Sequence, residues 1–156
     1  MSATTHAPAP SSMRWDLSAL FSGIDDPAIE TTWKRVEAEA DAIAAKYRGT
    51  SESGKLSPAE LAQAIERIEK LSMDADKPVS FANLLFAADC SDPKIGAFLQ
   101  QQMERASSVR VTLMFFELEL QAAPDALIDK ALADSAMANY RHFVQVARTY
   151  SPHRLS

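Results

Sequence analysis

The segment Val109–Leu120 constrains the fold of this chain more than any other. Wound as an α-helix at about 100° per residue, it presents apolar side chains on two opposite sides. A surface helix needs only one apolar stripe, so this helix must lie between other elements. The first face carries Val109, Leu113, Phe116 and Leu120, and the second face carries Val111, Met114, Phe115 and Leu118.

Polar residues separate the two faces of this helix. Arg110 and Glu117 lie in one seam, and Thr112 and Glu119 lie in the other. Paired carboxylates perform acid/base chemistry only where both reach one substrate atom. Two residues apart on a helix, Glu117 and Glu119 point about 160° away from each other. We therefore expect them to be solvated edges or ion-pair partners of neighbouring helices.

Start and stop signals along the chain predict an all-α fold of five or six helices in an antiparallel bundle or array. A capping residue before a proline occurs three times, at Asp25 or Asp26 before Pro27, at Ser57-Pro58 and at Asp92-Pro93, which is typical of helix starts. Only four glycines are present, without a hairpin signal, so no sheet is expected. The predicted helices cover about 28–48, Pro58 to about 74–76, Pro78 to about Cys90, 93–122, a short helix from Pro124-Asp125, and about 136–149.

Two segments admit a strand as well as a helix. The run from Pro78 to Cys90 is continuously apolar, and its alanine and leucine content favours a buried helix over a buried strand. Val109–Leu113 alternates like a strand, but helical pattern flanks it on both sides.

The first helix is expected to bury the stripe Ile29, Trp33, Val36, Ala40, Ile43 and Tyr47.

The N-terminal part of the chain divides at about residue 12. Residues 1–12 alternate proline with small polar residues, which predicts a disordered tail. The helical domain is then 13–156. Its first residues, Trp15–Phe21, are apolar enough to predict an arm or short turn that docks on the helices.

Composition excludes several classes of partner. The formal net charge is −5, and the sixteen lysines and arginines are scattered among twenty-one acidic residues. Nucleic-acid binding and attachment to an anionic membrane both need a clustered basic surface, so neither is expected. One cysteine, no secretory signal and no apolar run of about 18 residues favour a cytoplasmic location.

No residue pattern in the chain predicts an active site. None of the histidines His6, His142 and His153 has a second ligand at the spacing of a zinc helix. Cys90 lies between Asp89 and Asp92 without a histidine nearby, and a capping role for Asp92 explains that cluster. We therefore expect no catalytic, cofactor-binding or metal-binding residue, and a candidate interface at Val111, Met114, Phe115 and Leu118.

Several segments together resemble the N-terminal region of the oligoendopeptidase F family, which is related to the thimet-type zinc oligopeptidases. Each landmark stands in the family's order, and together they cover nearly all of the chain after the tail. The landmarks are Trp15–Phe21, Lys46–Gly49, Leu56–Leu61, Leu85–Pro93, Phe115–Leu120, Tyr140–Phe143 and Ser151–Ser156.

The resemblance implies a cytosolic zinc metallopeptidase that cuts short peptides in a channel between helical lobes. In that family a His-Glu-x-x-His helix and a downstream glutamate hold the zinc, and the glutamate of the motif is the general base. None of these residues is present here. The resemblance therefore implies a lobe that forms part of the channel wall, binds no zinc and is inactive alone.

Two functions follow as expectations. The first is the N-terminal lobe of such a peptidase, whose partner is the catalytic remainder or, when the lobe is alone, a second copy. The second is a self-standing interaction module that receives a partner helix on its second apolar face. The net negative charge argues against a third possibility, a helical DNA-binding protein.

Overall fold

The computed structural model describes residues 15–50 and 53–149, and within these ranges the protein is all-helical, as predicted. No strand occurs there, and none of the described helices is long and apolar enough to cross a membrane. The proposed tail over 1–12, His6, His153 and the last landmark lie outside the described residues. The elements are α1 (Pro27–Tyr47), α2 (Pro58–Ala88), α3 (Pro93–Ala122), α4 (Asp125–Ala133), a 3₁₀ turn (Ser135–Met137) and α5 (Arg141–Thr149).

The helix starts follow the signals in the sequence. Asp26 accepts a hydrogen bond from the backbone N–H of Ala28 and begins α1. Ser57 and Glu60 form a reciprocal capping box at the start of α2, which satisfies backbone donors that the first turn leaves open. Gly49 has a φ of 75° just after α1, a left-handed conformation that glycine adopts without steric cost.

One helix, α2, replaces the two that were predicted between Pro58 and Cys90. Pro78 lies inside α2, although proline cannot donate the helical hydrogen bond and disfavours a helix interior by about 3 kcal/mol. The prediction of a break near 74–76 was therefore wrong. Apolar side chains on both sides of the proline, including Leu71 and Phe81, are buried, and their burial offsets the cost of the proline.

An ion pair with α1 fixes the turn of α2 that precedes this proline. Arg35 on α1 contacts the carboxylate of Asp74 at 2.5 Å, and Lys77 lies 3.6 Å from the same carboxylate. The hydrogen bond from Arg35 lowers the pKa of Asp74 below its ordinary value of 3.8, and the positive charges of Arg35 and Lys77 act in the same direction. The apolar pattern of the sequence weakens at this turn, but the Arg35–Asp74 contact with α1 keeps the turn helical.

The Asp74 contact predicts acid sensitivity. A carboxyl group whose pKa is lower in the folded state stabilises the fold above its unfolded pKa and loses that contribution as the pH falls through its folded pKa. We expect Asp74→Asn to lower the free energy of unfolding by no more than about 1 kcal/mol at neutral pH. The difference from wild type should shrink once the pH falls below 3.8. Urea denaturation across this range measures it, with Asp76→Asn, an exposed position on α2, as the control. A difference independent of pH would contradict the assignment.

The three long helices pack pairwise around one core. α1 contributes every residue of its predicted stripe, and α3 contributes its first face. Several of these side chains are completely enclosed. The buried residues of the core come from most of the described chain. The largest enclosed apolar side chains are Trp33, Tyr47, Phe81, Phe116, Ile43, Leu120 and Met137.

A polar contact inside this core was not predicted from the sequence. Gln102 on α3 is 2% exposed, and its side-chain oxygen accepts a 2.7 Å hydrogen bond from the indole N–H of Trp33. Just outside, Arg105 lies over the Trp33 ring at 5.2 Å and pairs with Glu30 and Glu37 of α1. A buried amide is tolerated when its polar atoms are paired, and the Trp33–Gln102 hydrogen bond joins α1 to α3 inside the core.

The two ends of the described chain differ partly from expectation. Phe21 docks as predicted, edge-on to Phe81 with 5.4 Å between ring centroids. Trp15 is 66% exposed, so the arm docks through only part of its apolar residues. The expected helix over 136–149 is instead a 3₁₀ turn capped by Asp134, followed by α5. Met137 and Val144 are nevertheless fully buried, one in each piece.

Candidate interface on the second face of α3

The first face of α3 is the inner face. Val109, Leu113, Phe116 and Leu120 are all buried, and α3 packs on both α1 and α2. A fully buried leucine or phenylalanine contributes about 1.5–3 kcal/mol through its removal from water. This face therefore accounts for the position of α3 in the fold.

The second face of α3 is mostly uncovered. Val111 is 63% exposed, Met114 48% and Leu118 46%, whereas Phe115 is 7% exposed. Helix α5 does pack against α3, yet these three side chains remain open to solvent. The described residues thus leave an apolar stripe with no neighbour.

Phe115 differs from its neighbours because the end of α1 covers it. The guanidinium of Arg48 lies 4.5 Å from the centre of the Phe115 ring, and the same group donates a 3.2 Å hydrogen bond to the carbonyl of Thr112. The backbone N–H of Gly49 donates to the carboxylate of Glu119 at 2.6 Å. Of the two seams predicted for this helix, the Thr112 and Glu119 seam is therefore the one that joins α1.

The opposite seam is open. Arg110 and Glu117 are exposed, and within residues 15–50 and 53–149 neither side chain forms an ion pair or a hydrogen bond. They border the stripe along one edge, one near each end. This edge therefore presents one positive and one negative charge beside exposed apolar side chains.

The stripe also extends toward the start of α3. Met103 is 51% exposed, and at about 100° per residue it projects within about 20° of Met114. The sequence analysis did not include Met103, although its spacing from Val111 and Met114 follows the helical repeat. Between them lies the exposed Ser107, so the apolar surface is continuous only from Val111 to Leu118.

Helix α5 is held at the C-terminal end of α3 by one arginine. The guanidinium of Arg148 donates hydrogen bonds of 2.6 Å and 2.8 Å to the carbonyls of Leu120 and Ala123, and it also pairs with Asp125. These carbonyls have no partner within the helix itself. Arg148 thereby provides hydrogen-bond donors for the carbonyls at the end of α3. It also joins α5 to this end of α3, and α5 does not cover the stripe.

The remaining candidate groups show no catalytic arrangement. His142 and Cys90 are exposed, and Asp92 caps α3 by accepting from the backbone N–H of Lys94 at 2.8 Å. Asp89 accepts from the backbone and hydroxyl of Ser91. Across the described part of the chain, no three histidine, cysteine or acidic side chains gather where they could hold a metal ion.

A groove of about 840 Å³ is lined by the N-terminal arm, the end of α2 and the start of α3. Its walls include Trp15, Phe21, Phe81 and Leu85. The arm and the segment Leu85–Pro93, which includes the end of α2, are both landmarks of the resemblance, and both line this groove. No family model, curated protein or solved structure matches this chain.

Proposed function

We propose that the chain is the N-terminal helical lobe of an oligoendopeptidase F-type zinc metallopeptidase and forms part of the wall of its substrate channel. The substrates of the complete enzyme are short peptides. Its zinc ligands and general base would come from outside this chain, whose sequence contains no His-Glu-x-x-His motif. The chain supplies shape and a docking surface, and no catalytic step is assigned to it.

One observation carries the proposal: four of the sequence landmarks, far apart in the chain, come together as two pairs in the fold. Lys46–Gly49 ends α1 and contacts Phe115–Leu120 through Arg48 and Gly49. Trp15–Phe21 and Leu85–Pro93 line the same groove. These four landmarks therefore belong to one structural unit, as the resemblance implies.

The exposed stripe on α3 supports the same proposal. A contiguous apolar surface rimmed by charged residues is typical of a protein–protein contact. In a complete peptidase, the catalytic remainder would cover Val111, Met114 and Leu118. A self-standing interaction module would use the same stripe for a partner helix, and it is the second candidate.

A complementation assay tests the peptidase proposal. The purified chain alone should not hydrolyse an internally quenched peptide in a chelator-sensitive manner. Adding the zinc-bearing part of an oligoendopeptidase F that lacks its own N-terminal lobe should raise chelator-sensitive hydrolysis. Met114→Lys should abolish the gain, because burying an unpaired charge is costly.

Met73→Lys is the matched control, since Met73 is 65% exposed on α2, away from the stripe. It should leave the gain in hydrolysis unchanged. Chelator-sensitive activity of the chain by itself would overturn the proposal. An equal loss in both variants would show that the stripe is not the docking surface.

A further inference from the structure

The open edge of α3 has charges arranged so that the helix is complementary to itself in the reverse direction. Val111, Met114 and Leu118 follow one another at helical spacings of three and four residues, so they form a straight stripe. Arg110 and Glu117 stand on the same edge of that stripe, one toward each end. Opposite charges placed on either side of a midpoint can pair twice across a two-fold axis.

We propose that a second copy of this chain docks on the stripe, with the two α3 helices antiparallel and the two-fold axis beside Met114. In such a pair each edge of one helix faces the same edge of the other. Arg110 of one copy then lies opposite Glu117 of the second copy, and the contact occurs twice. Met114 packs on Met114 of the second copy, and Val111 on Leu118.

The helical rise supports this register. At about 1.5 Å per residue, Arg110 lies about 6 Å before Met114 and Glu117 about 4.5 Å after it. A two-fold axis at Met114 reverses the direction of the second helix. Arg110 of one copy and Glu117 of the second copy then differ in position by about 1.5 Å along the helix, a distance that their long side chains span. Helices whose axes are about 8–10 Å apart bring the Met114 side chains into contact.

A parallel pair is disfavoured by the same charges. A two-fold axis along the helices would bring the Arg110 edge of one copy against the opposite edge of the second copy. That opposite edge carries the Arg48 guanidinium over Phe115. Arg110 and Glu117 would then face an edge whose charged groups already bond to the Thr112 carbonyl and the N–H of Gly49, and the doubled Arg110–Glu117 contact would be lost.

The inference rests on the part of the proposed function that makes the stripe a docking surface, and not on the peptidase assignment. Three partly exposed side chains form a smaller patch than the roughly 800 Å² per partner of a stable complex. The pair is therefore a reversible dimer that dissociates on dilution. In a complete peptidase the catalytic remainder would compete for the same stripe.

Charge reversal tests the register directly. Sedimentation velocity over a concentration series should show a monomer–dimer equilibrium for the wild-type chain. Arg110→Glu places two glutamate–glutamate contacts in the dimer, and Glu117→Arg places two arginine–arginine contacts. Each variant should self-associate about tenfold more weakly, because two exposed pairs change from attraction to repulsion.

An equimolar mixture of the two variants should recover dimers. The mixed pair again has an opposite charge at both contacts, because the two charged edges face each other in the antiparallel pair. Lys94→Glu and Asp41→Arg are matched controls, since both positions are exposed outside the stripe, and they should leave the dimer unchanged. A mixture no tighter than either variant alone, or a wild-type chain that stays monomeric, would overturn the proposal.

A cysteine at the axis gives a second, independent measurement. In a Cys90→Ser background, Met114→Cys should form an intermolecular disulfide on mild oxidation, because the two-fold axis places the α-carbons within bonding range. Ala45→Cys, exposed on α1, should not. Equal cross-linking at both positions would indicate random collision and contradict the register. The complementation assay is unaffected by these results, so the two proposals fail separately.

Discussion

Replacing Trp33 with alanine is expected to lower the free energy of unfolding by about 3–5 kcal/mol, the range for deleting a buried aromatic side chain. Trp33 is completely buried between α1 and α3, so the substitution leaves a large cavity. It also removes the 2.7 Å hydrogen bond to Gln102, and the buried amide oxygen then has no partner from α1. An unsatisfied buried group adds its own desolvation cost.

The second tryptophan of the chain provides the control. Trp15 is 66% exposed, and Trp15→Ala should change the free energy of unfolding by no more than about 0.5 kcal/mol. Urea denaturation followed by far-ultraviolet circular dichroism measures both variants. A loss below about 1 kcal/mol for Trp33→Ala would contradict the burial described for α1 and α3.

Arg148→Met is expected to lower the free energy of unfolding by about 2–3 kcal/mol, since charge-assisted hydrogen bonds to two carbonyls disappear together. Methionine keeps an unbranched apolar side chain in place, so the loss reports mainly on the guanidinium. Arg148 joins α5 to the end of α3 through the carbonyls of Leu120 and Ala123. Hydrogen exchange of the α5 amides should accelerate more than exchange in α1.

Lys130→Met is the control for this prediction, because Lys130 is an exposed cation near the end of α4. Its effect should stay within about 0.5 kcal/mol. If both variants lost the same stability, general charge balance and not the α3–α5 contact would be responsible.

Most helix boundaries follow from neighbours in sequence, which explains why they could be predicted. Three capping side chains each accept from a backbone N–H within three residues: Asp26, Ser57 and Asp92. The capping residue and its partner therefore lie in the same short stretch of sequence. The apolar period of α1 likewise reports one face of one helix. Such features need no knowledge of the rest of the fold.

Features that depend on a second helix could not be predicted in this way. The turn before Pro78 is held by Arg35 of α1, and Phe115 is covered by Arg48 while Met114 beside it is not. Gln102 looks like a solvated residue in sequence because its partner, Trp33, belongs to another element. Each of these depends on which side chains meet after the helices have packed.

The position of α3 has a consequence for how tightly its open face can bind. α3 packs against α1, α2 and α5, so neighbouring helices restrain its backbone before any partner arrives. Binding to a rigid surface costs less conformational entropy than binding to a segment that must first become ordered. Even a small stripe such as Val111, Met114 and Leu118 can then select its partner by shape and charge. Mutations that loosen α5 should weaken binding at this stripe without touching it.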